Sequence, residues 1–426
     1  MTKPIISLQD LREKIGSRAK SSPKHRFWGM YVHIVKLETL EASYLDAKRN
    51  RGAPGVDNVT FEQIEDSGQE EFLVDLALDL QSGDYVPQEN RRKEIPKEGG
   101  KVRVISIPTI RDRVVQGALR LILEPIFEVD FSDSSYGARP SRSAHQALTK
   151  VKQGLLQRKH RVLDVDLSRY FDDIRHDRVL AKVARRIQDR QVLALIKQFL
   201  KNGGKRGIPQ GSPLSPLLAN LMLNDLDHAL DRGNDFISYV RYLDDMVVLA
   251  PNSARGRRYA DRALVRIREE AEAMGVSINE EKTKTVSLTD RRSTFAFLGF
   301  VFRWRRSLRT GRWYSYMVPK PKKITVVLKR VRDQLRNIRH LRMRAAVRLV
   351  NAIVRGWVNY FRVGNSGEAL QKVRYAVECK VRRFAARVLV GSDGVSKSSM
   401  ASGDSLMSTM FAISTWPKSA LNERES

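Results

Sequence analysis

One cysteine, Cys379, stands alone in a chain of 426 residues. A single thiol closes no intramolecular disulfide and builds no cysteine-ligated zinc site. That excludes a stapled secreted scaffold, a zinc ribbon and a cysteine-rich nuclease module, and it predicts a reducing compartment. Long apolar runs are also missing: no stretch approaches the roughly 18 consecutive apolar residues of a membrane-spanning helix, and the opening Met1-Thr2-Lys3-Pro4 has no signal-peptide character. The expectation is a soluble, cytoplasmic protein with no membrane partner. Acidic residues are scarce as well, 48 Asp and Glu against 77 Lys and Arg, which leaves a net charge of +29. Cations gathered on a surface release the counterions condensed on a polyanion, so nucleic acid is the expected partner. At roughly 100–200 residues per domain the length predicts about two to four domains, each able to bury a real core.

The positive charge is concentrated. Residues 301–387 hold 24 Lys and Arg and three acids, Asp333, Glu368 and Glu378. Within this segment Ile324, Val327, Leu328, Val331, Leu335, Ile338 and Leu341 recur at helical spacing, with Arg332, Arg336, Arg339 and Arg342 on or beside the opposite face. A basic amphipathic helix follows. For one helix alone the alternative is an ordinary solvated face, but a positive balance sustained over a whole module favours phosphate binding. Residues 391–426 are Ser-rich, near-neutral and aperiodic, and are expected to be poorly ordered, although Met407, Met410, Phe411 and Ile413 are compatible with a short helix.

Upstream, helix-like and strand-like pieces alternate, which predicts an α+β fold. Tyr31 to Lys48 reads as a helix ended by Asn50-Arg51-Gly52-Ala53-Pro54-Gly55. Val102 to Pro108 reads as a strand, Arg111 to Glu124 as a helix, and Arg161 to Leu167 as a short strand followed after Asp172 by a helix. Leu214 to Leu230 is helical, and Phe236 to Leu249 holds two apolar runs broken at Asp244-Asp245.

That break carries the sharpest chemical signal. In Tyr239-Val240-Arg241-Tyr242-Leu243-Asp244-Asp245-Met246-Val247 two adjacent carboxylates sit where a hairpin would hold them rigidly. An Asp pair alone is a common turn. Asp166, closing the apolar run from Val162 to Val165, supplies a third acid at a strand end. Three such carboxylates suit phosphoryl transfer assisted by two magnesium ions, which takes hard oxygen ligands around cations about 3.5–4 Å apart. Between the acids lies Gly207-Ile208-Pro209-Gln210-Gly211-Ser212-Pro213-Leu214-Ser215, either a plain Gly/Pro loop with a capped helix or a loop that brings backbone and Gln210 close to a flat substrate.

The order Asp166 to Phe171, then Pro209-Gln210-Gly211, then Tyr242-Leu243-Asp244-Asp245 resembles the palm of reverse transcriptases, and most closely the group II intron-encoded proteins. Supporting segments are Gly52-Ala53-Pro54-Gly55-Val56-Asp57, Ile95-Pro96-Lys97, Ile107 to Gln116, Ser135-Tyr136-Gly137-Ala138-Arg139-Pro140, Asn279 to Thr283, Phe297-Leu298-Gly299-Phe300 and Arg355-Gly356-Trp357-Val358-Asn359-Tyr360-Phe361, over residues 28–387.

The resemblance implies a right-hand polymerase: an N-terminal extension and start of fingers over 1–95, fingers over 96–160, a palm with an antiparallel sheet over 161–300, a basic helical thumb or maturase domain over 301–390, and the tail. It implies that Asp166 and Asp244 bind two magnesium ions with the Leu167 carbonyl as an added ligand, Asp245 contributing unequally. Phe171 would be the gate excluding a ribose 2′-hydroxyl, the alternative being a core Phe. Lys97 and Arg103 would grip the triphosphate of a dNTP, Gln210 would lie against the templating pair, and Lys282 would stand near the nucleotide. Expected partners are an RNA template, structured intron RNA, and a DNA primer or target.

Two departures stand out. Leu243 replaces the usual Ala, and no His/Cys-rich nuclease module follows the thumb, so second-strand cleavage is not expected. Three functions follow in order: an intron-encoded reverse transcriptase that assists splicing and mobility, a related polymerase recruited to a host task such as DNA repair or phage defence, and an RNA-binding maturase with a vestigial polymerase centre. Retention of Asp166, Asp244, Asp245, Gln210, Lys97 and Arg103 argues against the last.

Overall fold

The computed structural model describes residues 7–96, 102–231, 236–290, 292–338 and 343–390. Its strands are β1 (Arg91–Pro96), β2 (Val102–Ile107), β3 (Arg161–Ser168), β4 (Ser238–Tyr242), β5 (Asp245–Ala250), β6 (Ser277–Ile278), β7 (Lys284–Ser287), β8 (Phe295–Phe297), β9 (Phe300–Arg306) and β10 (Trp313–Pro319). β1 and β2 form an antiparallel ribbon, β4-β5-β3-β6 form a sheet to which β7 adds by pairing with β3, and β10-β9-β8 form a third, antiparallel sheet. The fold is a mixture of helix and sheet, as the alternating pattern predicts.

The chain divides into two compact units. One comprises residues up to Val151 together with Leu163–Thr285, the other Lys152–Val162 and the chain from Val286 onward. In the first, the helix Ile110–Glu128 is buried nearly all round, Asp112, Arg113 and Gln116 included, and Val114, Val115, Ala118, Leu119, Ile122, Leu123, Ile126 and Phe127 are fully enclosed. Such a helix cannot rest on a surface, and it forms the centre of this unit's core. Thr109 caps it by accepting from the Asp112 N–H at 3.1 Å, and the buried Asp112 carboxylate accepts in turn from the Tyr85 hydroxyl at 2.5 Å and the Gln88 N–H at 3.1 Å. Across the same core β3 alternates, with Leu163, Val165 and Leu167 buried and Asp164 and Asp166 half-exposed. A period of two thus puts both acids on one side of the strand.

The second unit builds its own core from three helices, Pro321–Asn337, Met343–Phe361 and Gly367–Val390. Val327, Val331 and Leu335 of the first meet Val347, Val350 and Val354 of the second and Leu370, Val373 and Val377 of the third. Their three- and four-residue spacing leaves the arginines between them to solvent.

Local geometry departs from the sequence reading at three places, whereas the helix expected after Asp172 is present as His176–Ala184, preceded by the single turn Tyr170–Asp173. The helix expected over Tyr31–Lys48 is two, Met30–Ile34 and Leu37–Arg49, because Lys36 turns extended (ψ 138°) and the Thr39 hydroxyl donates to the His33 carbonyl left open at 2.8 Å. The basic helix ends at Asn337, with Ile338 buried beyond it at the C-cap; Leu341, Arg339 and Arg342 lie outside the described residues, as do Lys97 and 391–426. The break between β4 and β5 falls at Leu243-Asp244, and Asp245 already belongs to β5. No helix among the described residues is long and apolar enough to cross a membrane.

Ile122→Ala is expected to destabilise the first unit by about 2–5 kcal/mol, because the enclosed site cannot collapse around the lost methyl groups. A thermal midpoint within one degree of wild type would contradict this placement of the core.

Candidate active site

β4 and β5 pair antiparallel with Tyr242 opposite Asp245, so Leu243 and Asp244 alone form the connecting loop. β5 neighbours β3, which brings the Asp244-Asp245 corner to the side of β3 that carries Asp164 and Asp166. Like charges disfavour joint ionisation, and the carboxyls register it. Asp245 is exposed as a residue, yet its carboxyl loses part of its hydration to the surrounding atoms. Desolvation first, then Asp244, Asp166 and Asp164, push it up to about 7 against the opposing pull of Lys282. Burial and then Asp166 raise Asp164 to about 6, opposed by Lys284. Among the described residues an ammonium in direct contact is that of Lys282, whose Nζ lies 2.8 Å from Asp166 Oδ2. It projects from the turn after β6, where Thr283 N–H bonds the Asn279 carbonyl at 2.8 Å and Asn279 N–H bonds the Asp166 carbonyl at 2.8 Å.

The Pro209-Gln210-Gly211 loop lies against two neighbours. Ile208 N–H donates to the Phe171 carbonyl at 2.7 Å, Gln210 Nε2 to Asp172 Oδ1 at 3.4 Å, and Ser106 N–H of β2 to the Gln210 carbonyl at 2.7 Å. Gly211 makes the last of these possible: its φ is +118°, and a Cβ there would collide with the Ser106 carbonyl oxygen. The loop therefore ties the β1–β2 ribbon to the segment that follows Asp166. Phe171 is half-buried, edge-on to Tyr170 with ring centres 5.4 Å apart, and the Tyr170 hydroxyl is fixed on the Ala219 carbonyl at 2.7 Å.

The structure thus gathers Asp166, Asp244, Asp245, Lys282, Phe171 and Gln210 in one unit. Arg103 is exposed on β2 opposite Ile95. Leu167 is buried and pairs with Ile278. Arg332 and Arg336 are exposed on the helix Pro321–Asn337 of the second unit, Arg332 at 3.6 Å from Asp333. Among the described residues no group of three or more His, Cys, Asp or Glu side chains is set to hold a metal ion. The donors are nevertheless hard carboxylate oxygens gathered at one corner of the sheet, a set that suits a hard divalent cation.

Two participants escaped the sequence reading. Asp164 could have been found from its two-residue spacing to Asp166. The Arg241–Asp227 pair gave no local signal: both side chains are wholly buried, with Nη2 2.5 Å from Oδ2 and the Tyr239 hydroxyl 2.9 Å from the same carboxylate.

Residues 95–302 match the family model described as reverse transcriptase (RNA-dependent DNA polymerase), and residues 324–388 match the maturase-specific domain of group II introns. Protein YkfC of Escherichia coli is 31% identical over 364 residues, which cover 73% of this chain and 91% of that protein. The chain belongs to the group II intron reverse transcriptase family. The group II intron-encoded protein LtrA of Lactococcus lactis is 33% identical to this reverse transcriptase over 227 residues, 50% of the chain and 37% of LtrA. Nuclear intron maturase 1 of Arabidopsis thaliana is 36% identical over 110 residues, 25% of the chain and 15% of that protein. The chain is an RNA-directed DNA polymerase, with a catalytic domain and a maturase domain in the order the motifs suggest.

In this reverse transcriptase Gly211→Ala should force the loop off β2, a strain of about 1–3 kcal/mol. The expected outcome is a lower thermal midpoint and a raised KM for dNTPs in primer extension; an unchanged KM would mean that the joint does not serve the nucleotide site.

Proposed function

We propose that this reverse transcriptase extends a primer 3′-hydroxyl with dNTPs on an RNA template at the Asp166–Asp244–Asp245 corner, and that its second unit binds structured intron RNA to assist splicing and mobility. The observation that carries the first half is the crowding itself. Carboxylates packed until one titrates near 7 are stabilised by added positive charge, which a phosphoryl-transfer site recruits in use. The right-hand arrangement of extension, fingers, palm and thumb is the reading of the fold that fits this chemistry.

Two divalent cations, taken as magnesium, would be held by Asp166, Asp244 and the Leu167 carbonyl with help from Asp245, and when bound they make the 3′-hydroxyl more acidic and offset charge on the pyrophosphate. The protein's own groups do the rest. Lys97 and Arg103 offer long cationic side chains to the triphosphate. Gln210, on a loop with both flanks anchored, presents an amide beside the templating pair. Phe171 is braced by Tyr170, so its ring cannot swing away from an approaching sugar, which is what exclusion of a 2′-hydroxyl needs. Lys282 neutralises Asp166 before substrate arrives and is free to turn toward nucleotide phosphate afterwards.

For the RNA-binding half the support is surface chemistry. No acid occurs from Arg291 to Arg332, a stretch with 13 Lys and Arg. On β9 the exposed Arg303 and Arg305 alternate with inward Phe302, and across the register they share a face with Tyr316 and Tyr314. The Arg305 guanidinium lies 4.7 Å from the centre of the Tyr316 ring, which fixes its plane while leaving donors for phosphate. Arg332 and Arg336, with Arg339 and Arg342 beyond the described segment, extend the same chemistry.

Asp244→Ala should lower RNA-templated extension by at least about 100-fold while RNA affinity stays at the wild-type value. Loss of both together would unseat the separation of roles. Phe171→Ala should admit ribonucleotides, and unchanged sugar discrimination would return Phe171 to the core. Arg332→Gln with Arg336→Gln should weaken RNA binding and flatten its logarithmic salt dependence by about 0.7–0.9 for each phosphate that is no longer neutralised, read from affinities at several salt concentrations. A slope equal to that of wild type would remove these two arginines from the RNA surface.

A further inference from the structure

The catalytic corner is held in a backbone conformation that its own residues disfavour. Leu243, first of the two loop residues, has φ +55°, in the left-handed region that glycine, asparagine or aspartate enter far more readily than a branched leucine. Such a conformation persists only where surroundings over-determine it. Here they do. Arg241 has five N–H donors and all five are used: Nε and one Nη2 hydrogen on Asp227 at 2.7 and 2.5 Å, the other Nη2 hydrogen on Ser135 Oγ at 2.7 Å, and Nη1 on Asn220 Oδ1 at 2.9 Å and on the Leu243 carbonyl at 3.0 Å. Asn220 passes the restraint on, its Nδ2 donating to the Gly137 carbonyl at 2.8 Å. Gly137 lies so close to the loop that a Cβ there would stand 2.5 Å from the Leu243 nitrogen. The main chains join as well, Arg241 N–H to the Ser134 carbonyl at 2.8 Å and Tyr136 N–H to the Arg241 carbonyl at 2.9 Å. Arg241, Asp227, Asn220 and Ser135 are all wholly buried.

We propose that Arg241, Asn220 and Gly137 are positioning residues of the polymerase: they clamp the strained Leu243 turn and thereby set where the Asp244 and Asp245 carboxylates stand relative to Asp166. The inference rests on the polymerase reading and adds residues to it that touch neither substrate nor metal. An apolar cluster of equal volume would stabilise a core at least as well as a buried ion pair. What the guanidinium supplies instead is direction. Its Nη1 reaches both the loop carbonyl and the side chain that grips Gly137, and the two residues after that carbonyl are the reacting acids. A lysine keeps the charge opposite Asp227 but cannot make the planar fork.

The test compares wild type with Arg241→Lys, Asn220→Ala and Gly137→Ala at a temperature where circular dichroism shows each variant fully folded. Gly137→Ala leaves the ion pair untouched and presses on the turn itself, at Leu243 and the Tyr242 carbonyl carbon, so it keeps the question open if Arg241→Lys does not fold. Primer extension should show kcat reduced by about tenfold or more, in the range that small misplacements of catalytic groups produce, with the dNTP KM and the template–primer Kd within about twofold of wild type. Mn2+ binding followed by electron paramagnetic resonance, a readout independent of turnover, should weaken in the same variants. Unchanged kcat and Mn2+ affinity in folded Gly137→Ala or Arg241→Lys would overturn the clamp and leave these residues as core structure. If wild type binds Mn2+ and template–primer yet extends nothing, the polymerase reading falls, while the Mn2+ comparison still decides whether the clamp aligns the acids.

Discussion

Repulsion between carboxylates packed side by side is the constraint around which the catalytic unit is arranged. Asp164, Asp166, Asp244 and Asp245 are brought together by a sheet whose pleat and hairpin leave them nowhere to separate, and burial first, then the charge of the neighbouring acids, raises the proton affinities of Asp245 and Asp164. Chains do not crowd like charges without a use, since each carboxylate so placed subtracts from stability near neutral pH. The offsetting features are visible: Lys282 on Asp166, Lys284 opposing Asp164's rise, and rigid hydrogen-bonded turns on either side.

Rigidity beneath the site comes from ordinary packing. The enclosed helix Ile110–Glu128 and the buried faces of β3 and β5 make one apolar mass, so the strand ends that carry acids cannot drift. The Gln210 loop is tied to β2 through Ser106 and to Phe171 through Ile208. The second unit follows a different logic. Its three helices bury valine and leucine stripes, so the same periodicity that builds its core also leaves arginines outward.

Much of the site was legible because its groups are contiguous. Tyr242-Leu243-Asp244-Asp245, Pro209-Gln210-Gly211 and Asp166 to Phe171 each combine turn chemistry with an acid, amide or ring inside a few residues, and all are found together in the folded chain. Secondary structure was read where one period dominates, as in β2, β3 and the helix after Ser215. It was misjudged where a local bond overrode the period, as at Lys36, where the Thr39 hydroxyl satisfies a helix end.

By itself the sequence determined the class of partner, through +29 of net charge and one cysteine, and the order of the motifs, because these depend on residue type and short spacing alone. Only the tertiary structure decided that Lys282 meets Asp166 across 116 residues and that Arg241 reaches Ser135 across 106 residues. Those choices belong to pairs of groups whose attraction exists only after burial has lowered the dielectric around them and removed the water that would otherwise satisfy each one separately.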